Sequence, residues 1–439
     1  MKKSILLVVA LLLFTTASFS QNVITLFNGA NNFFDLMQQE KYTEAYSFFD
    51  ETVKSKLSEE NLKKIWTDIN TNLGKAESLE AIQSKAQGEF FAVTVEGKFE
   101  RGSQNFVLGF NKTQKIVGFF LAPKPVVSQY LAPSYADTTL YSEKSTYVTA
   151  AGHQLAAIIT TPKNVKNFPV VVLVHGSGPS DMDATVGPNK PFKDLAAGLA
   201  AQGIASVRYV KRTLVYPYEF AKAYTVKEEV LDDALAAITL AKTISGVNLK
   251  SVYLFGHSLG GMLAPRIASS VPDLSGIILA AAPARKFTDM MLEQNKYLFD
   301  KANDTTKAAK TQLDLATAEI AKAKITQLGT IKPDSTILGI SAAYWVDINN
   351  YDQVAAMKKI TKPRVFVIQG GNDYQVSKQD FDLWKAGLAG NTNVEYKFYP
   401  ELNHLLSQQV EKGTGAQYMS FSSVSASLIN DIVAWIKIK

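Results

Sequence analysis

Apolar positions in the first third of the chain recur with a helical period and then with the alternation of strands. Residues 27–66 carry apolar side chains three and four positions apart, which predicts helices, and Ser58 is a candidate N-cap. Further on, Phe91-Val93-Val95 and Phe106-Leu108-Phe110 alternate with polar or small residues, which predicts strands. Helices followed by an antiparallel meander predict a small α+β domain over residues 22–123.

A second pattern begins after a polar stretch with several prolines, residues 124–141, which we interpret as a linker. Over residues 142–439, short unbroken apolar runs such as Val170 to Val174 alternate with helical stretches. Unbroken runs are typical of strands buried on both faces. The second domain is therefore predicted to be α/β, with a mostly parallel sheet covered by helices.

One segment of the second domain, residues 285–358, breaks this alternation. Leu313, Ala316, Ile320 and Ala323 recur there at helical spacing, and no strong strand is predicted. We interpret the segment as a helical cap insertion over the active edge of the sheet. The alternative is an enlarged crossover helix with no gating role.

The first twenty residues, 1–20, have the pattern of a secretory signal peptide. A basic start precedes an apolar run over residues 5–14, which is too short to span a bilayer comfortably. The small residues Ser18 and Ser20 predict cleavage before Gln21, after which no membrane association is expected. The alternative is an uncleaved anchor. The expected location is the bacterial periplasm or the outside of the cell.

The composition of the chain excludes several classes of function. Of the 439 residues, 46% are apolar and 20% are charged, as in ordinary globular proteins. The net charge of +6 is not gathered into basic runs interleaved with aromatics, so no nucleic-acid partner is expected. The absence of cysteine excludes disulfides and a thiolate nucleophile. No phosphate-binding loop, zinc-protease motif or dinucleotide fingerprint is present, so no metal or other cofactor is expected. The sequence indicates no oligomeric state.

The strongest chemical motif is Gly256-His257-Ser258-Leu259-Gly260, followed by Gly261. An apolar strand runs into it and a helical segment follows it. A serine on such a tight strand-to-helix turn is raised above the sheet, and the glycines allow the close backbone approach that the turn requires. We therefore predict that Ser258 is a catalytic nucleophile. The alternative is a glycine-rich turn with a solvated serine.

A second glycine-rich loop, His175-Gly176-Ser177-Gly178-Pro179, directly follows the apolar run Val170 to Val174. Attack by serine on a carbonyl creates negative charge on its oxygen, and fixed backbone N–H groups stabilise that charge. We predict that the amides of Ser177 and Leu259 form this oxyanion hole. Ser177 as the nucleophile is a weaker alternative. His175 is expected to shape the loop through its backbone rather than to act as a base.

The general base must be one of four histidines. His404 follows a late apolar strand, where the base belongs in the chain order serine, acid, histidine. Asp373 follows another late strand, between Ser258 and His404, and is the predicted acid that orients the imidazole. Its rival, Asp380, lies in a helical stretch and is expected to be solvated. No metal site is predicted beside this triad.

These residues resemble the α/β-hydrolase superfamily, and more narrowly bacterial serine esterases related to the prolyl-oligopeptidase-like branch. The matching segments are His175-Gly176-Ser177-Gly178-Pro179, Arg208-Tyr209-x-Lys211-Arg212, Gly256-His257-Ser258-Leu259-Gly260-Gly261 and Gln369-Gly370-x-x-Asp373-Tyr374-Gln375-Val376. Some members carry an N-terminal domain of NTF2-like or cystatin-like type, and residues 22–123 resemble one. Val210 and Thr213 depart from the family pattern, which has Asp before the Lys-Arg pair and Gly after it.

The leading hypothesis is a secreted hydrolase that cleaves a small-molecule carboxylic ester through an acyl-enzyme intermediate. The first alternative keeps the chemistry but cleaves short peptides or aminoacyl amides. A second alternative is a binding protein on an inert hydrolase scaffold, which predicts a damaged triad, whereas the triad in this sequence is intact.

Overall fold

The computed structural model describes residues 20–87, 90–122, 129–304 and 306–438. The described residues divide into two compact units, one within residues 20–122 and one within residues 129–438. Residues 1–19, which carry most of the predicted signal peptide, lie outside the described residues.

The first unit begins with four helices, as the apolar spacing predicts. Ser58 is the N-cap of the fourth, because its hydroxyl accepts a hydrogen bond from the N–H of Asn61 at 3.2 Å. The helices are α1 (Ser20–Gln38), α2 (Tyr42–Tyr46), α3 (Glu51–Lys54) and α4 (Glu59–Leu73).

An antiparallel sheet completes the first unit. Its strands are β1 (Ala76–Gln87), β2 (Phe90–Phe99), β3 (Gly102–Ser103), β4 (Phe106–Phe110) and β5 (Ile116–Leu121). The order is β1-β2-β4-β5, and β3 pairs with β2. One face packs against the helices around a core rich in aromatic side chains, among them Phe33, Phe34, Trp66 and Phe106. The unit is therefore a small α+β domain.

The described residues of the second unit form these strands: β6 (Tyr141–Ala150), β7 (His153–Pro162), β8 (Phe168–Val174), β9 (Ala205–Tyr209), β10 (Val247–His257), β11 (Gly276–Ala280), β12 (Thr336–Ile337), β13 (Ile340–Ser341), β14 (Arg364–Gly370) and β15 (Val394–Tyr399). Eight of them form one sheet, in the order β15-β14-β11-β10-β8-β9-β7-β6. The six strands β15, β14, β11, β10, β8 and β9 pair in parallel with one another in this order. Strand β7 is antiparallel to both of its neighbours, β9 and β6. This is the sheet of an α/β-hydrolase, as predicted.

The helices of the second unit are α5 (Pro191–Ala201), α6 (Arg212–Val215), α7 (Asp232–Lys242), α8 (Leu259–Ser269), α9 (Phe287–Ala302), α10 (Lys307–Lys322), α11 (Ala342–Asn350), α12 (Gln353–Lys358), α13 (Lys378–Gly387) and α14 (Ala426–Lys437). Helices α5 and α14 contribute to one core cluster, on one face of the large sheet. Helices α7, α8 and α13 contribute to the cluster on the other face. A π-helical turn, Lys227–Leu231, leads directly into α7.

The predicted cap insertion lies between β11 and β14 and is helical. It holds α9 to α12 and, before α11, the small hairpin β12–β13. Helix α11 is bound to α8, because Arg266 on α8 pairs with Asp347 on α11 through two bonds of 3.0 Å.

The first part of the predicted linker, residues 124–128, lies outside the described residues, as does residue 123. From residue 129 onward the chain belongs to the second unit. The hydroxyl of Tyr130 donates to Asp194 on α5 at 2.9 Å, and that of Tyr135 donates to the carbonyl of Val424 at 2.7 Å.

Candidate active site

Ser258 occupies the sharp turn between β10 and α8, with φ 53° and ψ −120°. A non-glycine residue in this region is strained, and such strain persists only where the surroundings fix it. The N–H of Ser258 donates to the carbonyl of Ala280 on the neighbouring strand β11 at 2.9 Å. The turn therefore raises the serine above the carboxyl ends of the parallel strands, as the motif predicts.

The glycines of this turn are required by close backbone contacts. A Cβ built on Gly256 would lie 2.4 Å from the carbonyl oxygen of Gly260. One built on Gly260 would lie 2.5 Å from that of Val174, and one on Gly261 2.6 Å from the Cβ of Ala282. A side chain at Gly260 or Gly261 would therefore push the serine turn away from Val174 or Ala282, and one at Gly256 would open the turn itself.

Asp373 and His404 meet at the same edge of the sheet. Asp373 lies in the loop after β14 and His404 in the loop after β15, and Nδ1 of the histidine lies 2.7 Å from Oδ2 of the aspartate. Both side chains are buried. The arrangement fixes Nδ1 as the donor and leaves Nε2 of His404 with a free lone pair.

The Asp373 carboxylate is also held by its own loop. Its Oδ1 accepts hydrogen bonds from the N–H groups of Gln375 at 2.7 Å and Val376 at 2.9 Å. Its Oδ2 accepts a further bond from the side-chain amide of Gln369 at 3.2 Å. These donors, together with His404, position the carboxylate that orients the imidazole.

Ser258 and His404 are connected through His257. Nε2 of His257 lies 2.7 Å from the carbonyl oxygen of His404, and the two imidazole rings are 4.7 Å apart between centroids. In the described part of the chain no hydrogen bond joins Oγ of Ser258 to the His404 ring. In unliganded hydrolases this bond is often long and shortens when substrate binds.

The other three histidines have different surroundings. Burial, assisted by the charge of nearby Lys211, lowers the pKa of His175 to about 3. Its Nε2 bonds to the carbonyl of Asp181 at 2.9 Å. His175 was expected to shape its loop through its backbone, whereas this bond shows that its side chain contributes as well. Burial also lowers the pKa of His257 to about 3. His153 lies 3.1 Å from Glu219, in the hairpin end of β6 and β7.

The two predicted oxyanion amides lie on elements that meet at Ser258. Leu259 is the first residue of α8, so its N–H has no acceptor within the helix. Across from it, a Cβ built on Gly176 would lie 3.1 Å from Cβ and 3.5 Å from Oγ of Ser258, so the loop that carries Ser177 touches the Ser258 turn. We call residues 175–179 the oxyanion loop.

Asp380 is not the solvated carboxylate that its helical position predicts, and that expectation is wrong. It is fully buried at the start of α13. It accepts hydrogen bonds from the N–H groups of Ala284 at 2.9 Å and Arg285 at 3.1 Å, and the Arg285 guanidinium donates to it at 2.7 Å. Asp380 therefore holds the chain that leaves β11 for the cap insertion.

Three tyrosines are stacked beside Asp373, and of these only Tyr374 lies in one of the sequence motifs. Tyr374 follows the aspartate directly, and its ring lies 5.9 Å from that of Tyr297 on α9 and 6.1 Å from that of Tyr418. Only the position of Tyr374, next to the predicted acid, was a signal in the sequence.

No group of three His, Cys, Asp or Glu side chains within the described ranges is arranged to hold a metal ion. Nor does any helix among those residues have the length and apolarity needed to cross a bilayer.

The strand order, the strained serine turn and the Asp–His pair define an α/β-hydrolase. The chain is 35% identical over 399 residues to Esterase EstD of Thermotoga maritima. The aligned region covers 91% of this chain and 92% of that relative. The chain therefore belongs to the esterase family of the α/β-hydrolase superfamily, as the motifs predict.

Two further comparisons concern the first unit and the solved structures. A family model described as "Protein of unknown function (DUF3887)" matches residues 30–119. Est1E from Butyrivibrio proteoclasticus is 15% identical with a TM-score of 0.43, covering 67% of this chain and 99% of its own. An esterase from Exiguobacterium antarcticum is 14% identical with a TM-score of 0.39, covering 67% and 100%.

Proposed function

We propose that the protein is a serine hydrolase that cleaves carboxylic esters through an acyl-enzyme intermediate. The observation that carries the proposal is the strained turn at Ser258 beside the Asp373–His404 pair, with 2.7 Å between carboxylate and imidazole. The relative named Esterase EstD supports esters as the substrate class.

The first step follows from the tautomer of His404. Because Nδ1 donates to Asp373, Nε2 can accept the proton of Ser258 as its Oγ attacks the ester carbonyl. The Asp373 carboxylate balances the positive charge that the imidazole gains. His404 then returns the proton to the alcohol that leaves, and the acyl group remains bonded to Ser258.

The second step repeats the first with water. His404 removes a proton from a water molecule as its oxygen attacks the acyl carbonyl. The imidazolium then returns the proton to Oγ of Ser258, whose bond to the acyl group breaks, and the carboxylic acid is released. In both steps the carbonyl oxygen becomes an oxyanion. The amides of Leu259 and Ser177 are proposed to hold it, since preorganised N–H groups stabilise such charge without reorganisation.

The decisive experiment combines a covalent probe with a substrate panel. A fluorophosphonate should label Ser258 in the intact protein, and labelling at Ser177 would contradict the assignment. Aryl esters of increasing acyl length should be hydrolysed in preference to aminoacyl amides. Ser258→Ala should fold normally and lose hydrolysis by a factor on the order of 10⁶.

Secretion remains part of this proposal. Its support is the basic start followed by the short apolar run over residues 5–14. N-terminal sequencing of the protein recovered from the cell envelope or medium should begin at Gln21, and recovery with the first twenty residues intact would contradict cleavage.

A further inference from the structure

Three cations of the segment Arg208-Tyr209-Val210-Lys211-Arg212 are buried, and each has a carboxylate partner. Arg208 pairs with Asp183 and Glu143, and Arg212 pairs with Asp233. Nζ of Lys211 lies 2.7 Å from Oε1 of Glu229, with both side chains almost fully buried, at 2% and 6% exposure. Removing two charges from water is costly unless further hydrogen bonds satisfy them. The further bonds of Lys211 and Glu229 therefore show what the pair holds.

Both members of the Lys211–Glu229 pair bind the oxyanion loop. Nζ of Lys211 donates to the carbonyl of Gly176 at 2.8 Å. Oε1 of Glu229 accepts from the N–H of Gly178 at 2.9 Å. These two bonds fix the backbone immediately before and after Ser177, the residue whose amide is proposed to face the oxyanion.

The Glu229 carboxylate also reaches the cap insertion. Glu229 lies in the π-helical turn before α7, and the Tyr344 phenol on α11 is a further hydrogen-bond partner of its carboxylate. Burial alone raises the pKa of Glu229, but the Lys211 charge and the hydrogen bonds from Lys211, Tyr344 and Gly178 outweigh it and hold the pKa below its ordinary value. The Glu229 carboxylate is thus ionised at neutral pH.

Helix α11 is held at this place by a second contact. The hydroxyl of Ser341, the N-cap of α11, donates to the carbonyl of Tyr224 at 2.6 Å. Tyr224 lies shortly before the turn that carries Glu229. A shift of α11 would therefore be transmitted to the π-helical turn and, through Glu229, to the oxyanion loop.

We propose that Lys211 and Glu229 are positioning residues that fix the Ser177 amide for the oxyanion, and that Tyr344 couples the cap insertion to this role. The inference rests on the proposed ester hydrolysis. The pair touches neither nucleophile nor base, so its loss should weaken stabilisation of the tetrahedral transition state and leave ground-state binding of the ester unchanged.

The neighbouring ion pair supplies a matched control. Arg212 and Asp233 are also buried, at 4% and 1% exposure, and lie 2.7 Å apart. Asp233 accepts from the Arg212 side chain and backbone and, within the described ranges, has no bond to the oxyanion loop. Asp233→Asn should therefore lower thermal stability and leave turnover of the folded protein unchanged.

The experiment compares Glu229→Gln, Tyr344→Phe and Asp233→Asn with the parent protein. It measures kcat and KM on an aryl ester, the inhibition constant of a trifluoromethyl ketone, and the melting temperature. The ketone forms a tetrahedral serine adduct whose oxyanion occupies the same hole. We expect Glu229→Gln to lower kcat about 10–100-fold with little change in KM, since one lost oxyanion donor costs ~10²–10³. Ketone affinity should fall in step.

Tyr344→Phe keeps the ion pair and removes only the hydroxyl, so it tests the coupling even if Glu229→Gln fails to fold. We expect kcat and ketone affinity to fall together by about three- to tenfold. Unchanged kcat and ketone affinity in Tyr344→Phe would overturn the coupling. The same result in a folded Glu229→Gln would overturn the positioning role. If the parent protein neither hydrolyses esters nor binds the ketone, the proposed function is contradicted, and the positioning role that rests on it is contradicted as well.

Discussion

At the scale of single residues, the carboxylate of Asp373 has the most closely defined environment in the site. Two backbone amides and the Gln369 side chain hold it while it accepts from His404. Asp373→Asn keeps the size but removes the charge that favours the imidazolium and the tautomer that leaves Nε2 free. Turnover should fall by about 10⁴, and the loss should shrink at high pH, as a kcat profile against pH would show.

Asp380→Asn is the control for this prediction, and the two effects should differ in kind. Asp380 lies outside the triad but is buried against Arg285. Its loss leaves that guanidinium without its main partner, which should lower the free energy of unfolding by about 3–5 kcal/mol. The turnover of the folded fraction should stay near that of the parent. Loss of turnover with Asp380→Asn and a nearly silent Asp373→Asn would show that the acid is misplaced.

The sequence could predict candidate site residues because each follows an apolar strand. Parallel strands end at one edge of a sheet, so Ser258, Asp373 and His404 could be placed together from strand positions alone. The burial of Asp380 could not be predicted in this way. Its partner Arg285 is 95 positions away in sequence, and a helical pattern carries no information on contacts of that separation.

At the scale of elements, β1 shows where pattern reasoning fails. Its sequence, Ala-Glu-Ser-Leu-Glu-Ala-Ile-Gln-Ser-Lys-Ala-Gln, is largely polar and does not alternate clearly. The strand lies at the edge of its sheet and places Leu79 in the core, with Ala76 and Ala81 packed against that core. Its other positions give no apolar pattern, and backbone pairing with β2 holds them in the strand. The central strands of the large sheet, such as β8, β11 and β14, were predictable because burial on both faces demands unbroken apolar runs.

Helix α9 of the cap insertion contacts the loop that carries Asp373. Tyr297 stacks on Tyr374, and the side-chain amide of Gln294 donates to the carbonyl of Gln375 at 2.8 Å. Tyr297→Ala should open space beside the acid. The ratio of kcat/KM for long-chain to acetyl esters should then rise by about tenfold, since each methylene in a pocket is worth roughly 1–3 kcal/mol.

The matched variant for this test is Tyr297→Phe. It keeps the ring and loses only the hydroxyl that donates to the carbonyl of Lys412 at 2.8 Å. Its acyl-length profile should match that of the parent. If Tyr297→Ala also gave the parent profile, α9 would have no part in setting substrate size, and the cap insertion would be an enlarged crossover.

At the scale of the whole molecule, all the site residues belong to the second unit. That unit has its own core clusters on both faces of its sheet. A chain that begins at Gln129 keeps the bonds of Tyr130 and Tyr135 to the second unit. We expect it to fold and to react with a fluorophosphonate within about threefold of the full-length rate, because the chemical step needs no residue of the first unit.

The measurement is the rate of labelling at Ser258, with circular dichroism to establish that the shortened chain is folded. A folded, soluble chain that is not labelled would show that the first unit completes the site. Equal labelling rates for the shortened and full-length chains would show that the first unit has a role other than in the reaction at Ser258.

The strained backbone at Ser258 sets activity and thermal resistance against each other. Glycine adopts φ 53° with far less strain than serine, so Ser258→Gly should remove most of the ~1–3 kcal/mol of backbone strain at this position. The greater freedom of glycine in the unfolded chain offsets up to about 1 kcal/mol of this gain in the free energy of unfolding. The inert protein should therefore melt at a higher temperature than the active one, a difference that calorimetry can detect. Selection for heat tolerance must then act elsewhere in the chain, because the substitution that raises stability at this position would abolish activity.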